Sequence, residues 1–117
     1  IPRIYDPECL CCHTTGWDPQ SAQRYESGFQ DMMKTPHLVG QQCENCHGAG
    51  SGHSSLEDAV KGGGQVTEDV LAGRASMRLT LPQAKENVCI KCHDLDNSPK
   101  FDFDKYWPKV NHSGRKD

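Results

Sequence analysis

The residues best equipped for chemistry are cysteines and histidines in a repeated order. Cys9-Leu10-Cys11-Cys12-His13 contains one Cys-x-x-Cys-His. Cys43-Glu44-Asn45-Cys46-His47 is a second and Cys89-Ile90-Lys91-Cys92-His93 a third. Residues three apart in a helical turn lie on one face, so the two thiols of each motif can add across the two vinyl groups on one porphyrin edge. The histidine directly after the second cysteine then reaches the iron from the proximal side. The spacing is that of covalent haem c attachment, with Cys9, Cys12, Cys43, Cys46, Cys89 and Cys92 as tethers and His13, His47 and His93 as iron ligands. Three such motifs in 117 residues with seven cysteines and six histidines are not a product of chance placement. Zinc knuckles, redox-active thiols and plain disulfides also use Cys-x-x-Cys, but none needs a histidine after every pair, and zinc takes its pairs two at a time.

Three histidines remain outside the motifs, namely His37, His53 and His112, and three haems need three sixth ligands to be closed and low-spin. The matching count predicts bis-histidine ligation of all three irons. Polar surface histidines are common, and that is the plainer reading of each. Met32, Met33 and Met77 are competing axial ligands, though packing against porphyrin or helix suits them better. His37 lies six residues before Cys43, and His53 six residues after His47. A link of that length spans at most about 20 Å, nearly all of which is used in passing round a porphyrin edge. His37 and His53 are therefore expected to ligate neighbouring haems, and His112 can serve any of the three. A histidine from another copy of the chain is a further source. Cys11 cannot join the first motif. It reads as a small packed residue or an inert thiol, with an intermolecular disulfide or a redox role as alternatives.

These ligands must be positioned by short helices and long loops. Thr80-Leu81-Pro82-Gln83 reads as a capping box with proline in the first turn, predicting a helix from Leu81 to about His93 that delivers the third motif. Ser54-Ser55-Leu56-Glu57 reads as another, opening a helix that Gly62-Gly63-Gly64 ends. Val66 to Gly73 fits one more short turn. Asp102 to Tyr106 fits a helix stopping before Trp107-Pro108. No alternating strand pattern appears. The expected class is mainly α with extensive loops and little or no sheet, a single compact domain over 1–117 organised around three haems. The apolar fraction is 34 %, low for a chain that must build its own core. Haem is expected to supply that core, with Trp17, Tyr25, Phe29, Phe101, Phe103, Tyr106 and Trp107 against porphyrin faces and edges. Without haem the chain is expected to be largely unfolded.

Composition narrows the function further. No segment is apolar for long enough to span a bilayer. The chain opens on Ile1 without a charged and then apolar leader, so it reads as mature, trimmed or cut from something longer. The net charge is −3, with residues 1–73 at −6 and residues 74–117 at +3. That polarity suits orientation of a docking partner or head-to-tail alignment of copies, and equally an ordinary solvated surface. Nothing resembles a nucleic-acid footprint.

The words around the motifs carry a resemblance. Cys9 to Trp17, His37 to His53, and Tyr106-Trp107-Pro108-Lys109-Val110-Asn111-His112 together resemble the multihaem cytochromes related to the tetrahaem protein that accepts electrons from hydroxylamine oxidoreductase. The resemblance runs over nearly the whole chain. It implies mostly bis-histidine haems packed in parallel and perpendicular pairs, with His37, His53 and His112 as distal ligands. It also implies attachment of haem on the export side, hence a periplasmic or extracellular protein. The family carries four haem motifs, one with a five-coordinate iron, where this chain has three motifs.

The expected function is electron transfer, not enzymatic catalysis. The chain would serve as a carrier, a domain of a larger multihaem protein or a subunit of a haem-lined conduit. Its partners would be redox proteins or other copies of itself, in an oligomer or filament. The alternative is a redox enzyme acting on nitrogen oxides or hydroxylamine at an open five-coordinate haem, which needs an iron without a sixth ligand and acid–base groups beside it. A gas sensor needs the same open iron.

Overall fold

A computed structural model describes residues 5–20 and 27–112. The chain divides after Thr80 into two compact units. Both are helical with long connections, and among the described residues no strand forms beyond an isolated antiparallel bridge between Thr14 and Val39.

In the first unit, α1 (Pro7–His13) is started by its own sequence. Asp6 holds an extended conformation and accepts from the Glu8 amide at 3.0 Å, and Pro7 supplies a preset φ at the first helical position. The helix stops at Thr14, whose hydroxyl turns back to the Leu10 carbonyl at 2.7 Å. A 3-10 turn, Pro36–Leu38, then precedes α2 (Cys43–His47). The α2 cap is Gln42, whose amide donates to Asn45 Oδ1 at 2.8 Å. Helices α3 (Ser51–Lys61) and α4 (Glu68–Met77) pack on each other. The α4 cap is Thr67, with Glu68 and Asp69 in the first turn, where the helix dipole favours negative charge. Arg74 clamps Glu57 across the pair, with Nε at 2.6 Å and Nη2 at 3.1 Å from its two carboxylate oxygens.

In the second unit, helix begins at Leu81 as the sequence predicts. It runs as α5 (Leu81–Gln83), widens to π geometry over Ala84–Val88 and tightens to 3-10 over Cys89–Lys91. Helix α6 (Phe103–Val110) follows, its cap Asp102 accepting from the Lys105 amide at 3.3 Å.

Three helix boundaries differ from the sequence reading. Helix α3 starts at Ser51, three residues before the capping-box serine, so His53 lies inside the helix. Helix α4 is longer than one turn and ends at Met77, because its packing against α3 continues past Gly73. Helix α6 continues through Pro108. The missing donor there would have served the carbonyl of exposed Asp104, which water can satisfy.

Among the described residues the buried apolar core is Leu10, Phe29, Val70 and Ala84. Much larger apolar surface faces outward, including Met33, Leu71, Ile90, Leu95 and Val110. Four side chains are too small a core to offset the chain entropy of a domain this size.

Candidate haem sites

The first two motifs are held to each other by a hydrogen-bond network. Asn45, between the cysteines of the second motif, donates from Nδ2 to the Thr14 carbonyl at 2.9 Å. Its Oδ1 lies 2.8 Å from the Thr15 hydroxyl, which is also 2.9 Å from the Gly40 carbonyl. Thr14 and Thr15, directly after the first motif, are both buried. Backbone bonds reinforce the connection, with Thr15 N–H donating to Leu38 at 2.8 Å and Gly40 N–H to His13 at 2.8 Å. The Gln41 side-chain amide donates to the Cys12 carbonyl. Gln42 Nε2 donates to the His37 carbonyl at 2.5 Å.

The loop after Thr15 is closed by glycine. Gly16 and Gly28 have φ of +71° and +72°, and a Cβ on Gly28 would lie 1.9 Å from the Gly16 carbonyl oxygen. Phe29 follows, 2 % exposed, and its amide donates to the Thr15 carbonyl at 2.9 Å.

In the second motif His47 Nδ1 lies 2.6 Å from the Met77 carbonyl at the end of α4. A carbonyl only accepts, so the proton sits on Nδ1 and the lone pair on Nε2, the tautomer that ligates haem iron. His112 is assigned the same way by the Val110 carbonyl at 3.1 Å. The backbone thus presets both imidazoles with Nε2 as the free lone pair, the form that iron ligation would use.

His93 of the third motif is set by nearby residues. Its ring stacks on Phe101 at 4.2 Å and 12°, and Nδ1 lies 3.0 Å from the Ser98 hydroxyl. The intervening turn is closed by Asp94, which accepts from the Asn97 amide at 2.7 Å. Tyr106 continues the stack at 5.9 Å from Phe101, and Phe103 pairs with Trp107 at 5.2 Å.

The three remaining histidines occupy different settings. His37 is exposed on the 3-10 turn, and His112 is exposed beyond α6. His53 is half-buried in α3, with Nδ1 sealed from solvent and without a hydrogen-bond partner. Glu57 Oε1 lies 4.0 Å away, one helical turn on. Among the described residues no three His, Cys, Asp or Glu side chains converge as a metal donor set, so the Cys-x-x-Cys pairs are not brought together as a zinc site needs.

The donor chemistry fits haem c. Cys9, Cys43 and Cys46 are exposed, and Cys12, Cys89 and Cys92 are partly so, which leaves each pair of thiols accessible on its helical turn. Cys11 donates to the Glu8 carbonyl at 3.3 Å and lies 3.6 Å from Cys12 Sγ. Partial desolvation, and then the contact with Cys12, push its thiol pKa up. Met77 packs its methyl group against Gly50, while Met33 is 92 % exposed. Phe29 is enclosed by the protein itself, Trp17, Phe101, Phe103 and Trp107 are half-buried, and Tyr106 is exposed. Tyr25 lies outside the described residues.

The family described as cytochrome c554 and c-prime matches residues 3–48. This segment is similar to the cytochrome c554 family. The match takes in the first two motifs, His37 and the Thr14-Thr15-Asn45 network, and is narrower than the resemblance carried by the sequence words. That family consists of multihaem c-type electron-transfer cytochromes, and the described residues are helical with long loops. No curated protein and no solved structure matches this chain. The described residues include no helix long and apolar enough to cross a membrane.

Sequence reasoning missed Asn45, which sits at a variable position of its motif and showed no pattern. Thr14 and Thr15 carry no pattern that announces a role either. Glu57 was read as a capping-box residue, because the expected helix started after His53.

Proposed function

We propose that the chain passes electrons through three closely packed bis-histidine c-type haems. Cys9 and Cys12, Cys43 and Cys46, and Cys89 and Cys92 tether them, while His13, His47 and His93 ligate on one side and His37, His53 and His112 on the other. The observation that carries this reading is the equal supply of three attachment histidines and three others, supported by carbonyl-fixed tautomers at His47 and His112. When bound, haem supplies a one-electron iron couple. The residues do the rest. Thr14, Thr15 and Asn45 fix the spacing of the first two attachment sites, and Phe101 and Ser98 orient the third histidine.

The holoprotein is a single trihaem domain. It works in the periplasm or outside the cell, where c-type haem is attached. Its partners are redox proteins or further copies of the chain, whether it acts as a carrier, a domain of a longer protein or a subunit of a conduit.

Carbon monoxide tests this reading. Added to the reduced holoprotein, it should leave the haem absorption unchanged, since closed irons offer it no site. Stoichiometric binding to one haem would overturn the reading and direct attention to nitrogen-oxide or hydroxylamine chemistry at an open iron.

A further inference from the structure

His53 has an atom that needs explanation. Its Nδ1 is sealed from solvent and unpartnered, although the side chain as a whole is 29 % exposed. The exposure therefore lies on the rest of the side chain, and Nε2 is the nitrogen left for a ligand. An imidazole that ligates through Nε2 carries its proton on Nδ1, and burying that N–H without an acceptor is unfavourable.

The nearest acceptor is Glu57. Its Oε1 lies 4.0 Å from His53 Nδ1, one turn further along the same face of α3. Glu57 is held in place by the two-pronged clamp from Arg74. Gly73 of α4 lies against the ring, since a Cβ there would stand in ordinary contact with His53 Nδ1 at 3.5 Å and tight against Leu56 Cδ1 at 3.3 Å.

We propose that Glu57, clamped by Arg74, is the positioning residue for His53, accepting its Nδ1–H and thereby setting how strongly Nε2 donates to a haem iron. This rests on the reading of His53 as a distal ligand. A carboxylate acceptor gives the imidazole anionic character, which stabilises the ferric state and lowers the potential of that haem. Arg74 opposes the effect by drawing on the same carboxylate. Glu57 and Arg74 therefore act on one haem in opposite directions.

The test is a reductive titration of the holoprotein with the variants Glu57→Gln, Arg74→Gln and His53→Ala, each checked for three haems per chain. Glu57→Gln should move one midpoint potential positive and alter one low-spin ferric signal. Arg74→Gln should move the same potential negative. The other two potentials should stay in place. Merely loosening the α3–α4 contact would not produce opposite shifts at one haem. Unchanged potentials, or shifts in the same direction in both variants, would overturn the proposal. His53→Ala keeps the two failures apart. It should convert one iron to high spin, and three unaltered low-spin irons would overturn the ligand assignment itself.

Discussion

The first two motifs and the third are oriented by different means. Asn45 and Thr15 stand thirty residues apart and hold one motif to the other through partly buried hydrogen bonds. His93 is set instead by Ser98 and Phe101, five and eight residues further along the chain. The first arrangement fixes a relation between two motifs, and the second fixes the angle of one ring. Hydrogen bonds spanning a long loop must be paid for in chain entropy, and they are kept where two sites must stay in register. The family match covers that linked pair and stops at Gly48.

The largest expected effect breaks the linked pair. Gly28→Ala places a Cβ 1.9 Å from the Gly16 carbonyl oxygen at a positive φ. It should cost about 3 kcal/mol in denaturant unfolding of the holoprotein and disturb the signals of two haems together. Next is Asn45→Ala, which strands the Thr14 carbonyl and the Gln42 amide. A loss of about 2 kcal/mol is expected, again with two haem signals changing. Equal disturbance of one haem alone would break the comparison.

Phe101→Leu sharpens it from the other side. Loss of the stack should cost about 1 kcal/mol and shift the ferric signal of one haem, leaving two unchanged. The smallest effect belongs to Asp31, which closes the turn before His37. Its carboxylate accepts from the Lys34 and Met33 amides, and these bonds, Lys34 first, hold its pKa below the ordinary value. That contribution is present above the unfolded-state pKa and is lost as pH falls through the folded one. Asp31→Asn should therefore weaken the holoprotein slightly at neutral pH and flatten the acid side of its stability profile.

The three Cys-x-x-Cys-His words were legible in the sequence because thiols and imidazole stand at a fixed spacing. Helix starts at Leu81 and Phe103 were legible from Thr80-Leu81-Pro82 and Asp102, where caps and prolines act locally. The start of α3 was not. Gly50 heads it, with its amide donating to Glu44 at 3.2 Å, and Gly50 has no side-chain oxygen to announce a cap. The Asn45 network was hidden for a related reason, since its partners lie thirty residues away and an asparagine between two cysteines carries no periodicity. Glu57 escaped notice because its role depends on the helix containing His53.

The central claim is three closed haems. An electron paramagnetic resonance spectrum of the oxidised holoprotein, taken with a haem count per chain, tests it most directly. Three haems with low-spin ferric signals and no high-spin component are the predicted result. A stoichiometric high-spin signal would mean that His37, His53 or His112 leaves its iron open, and would contradict the account.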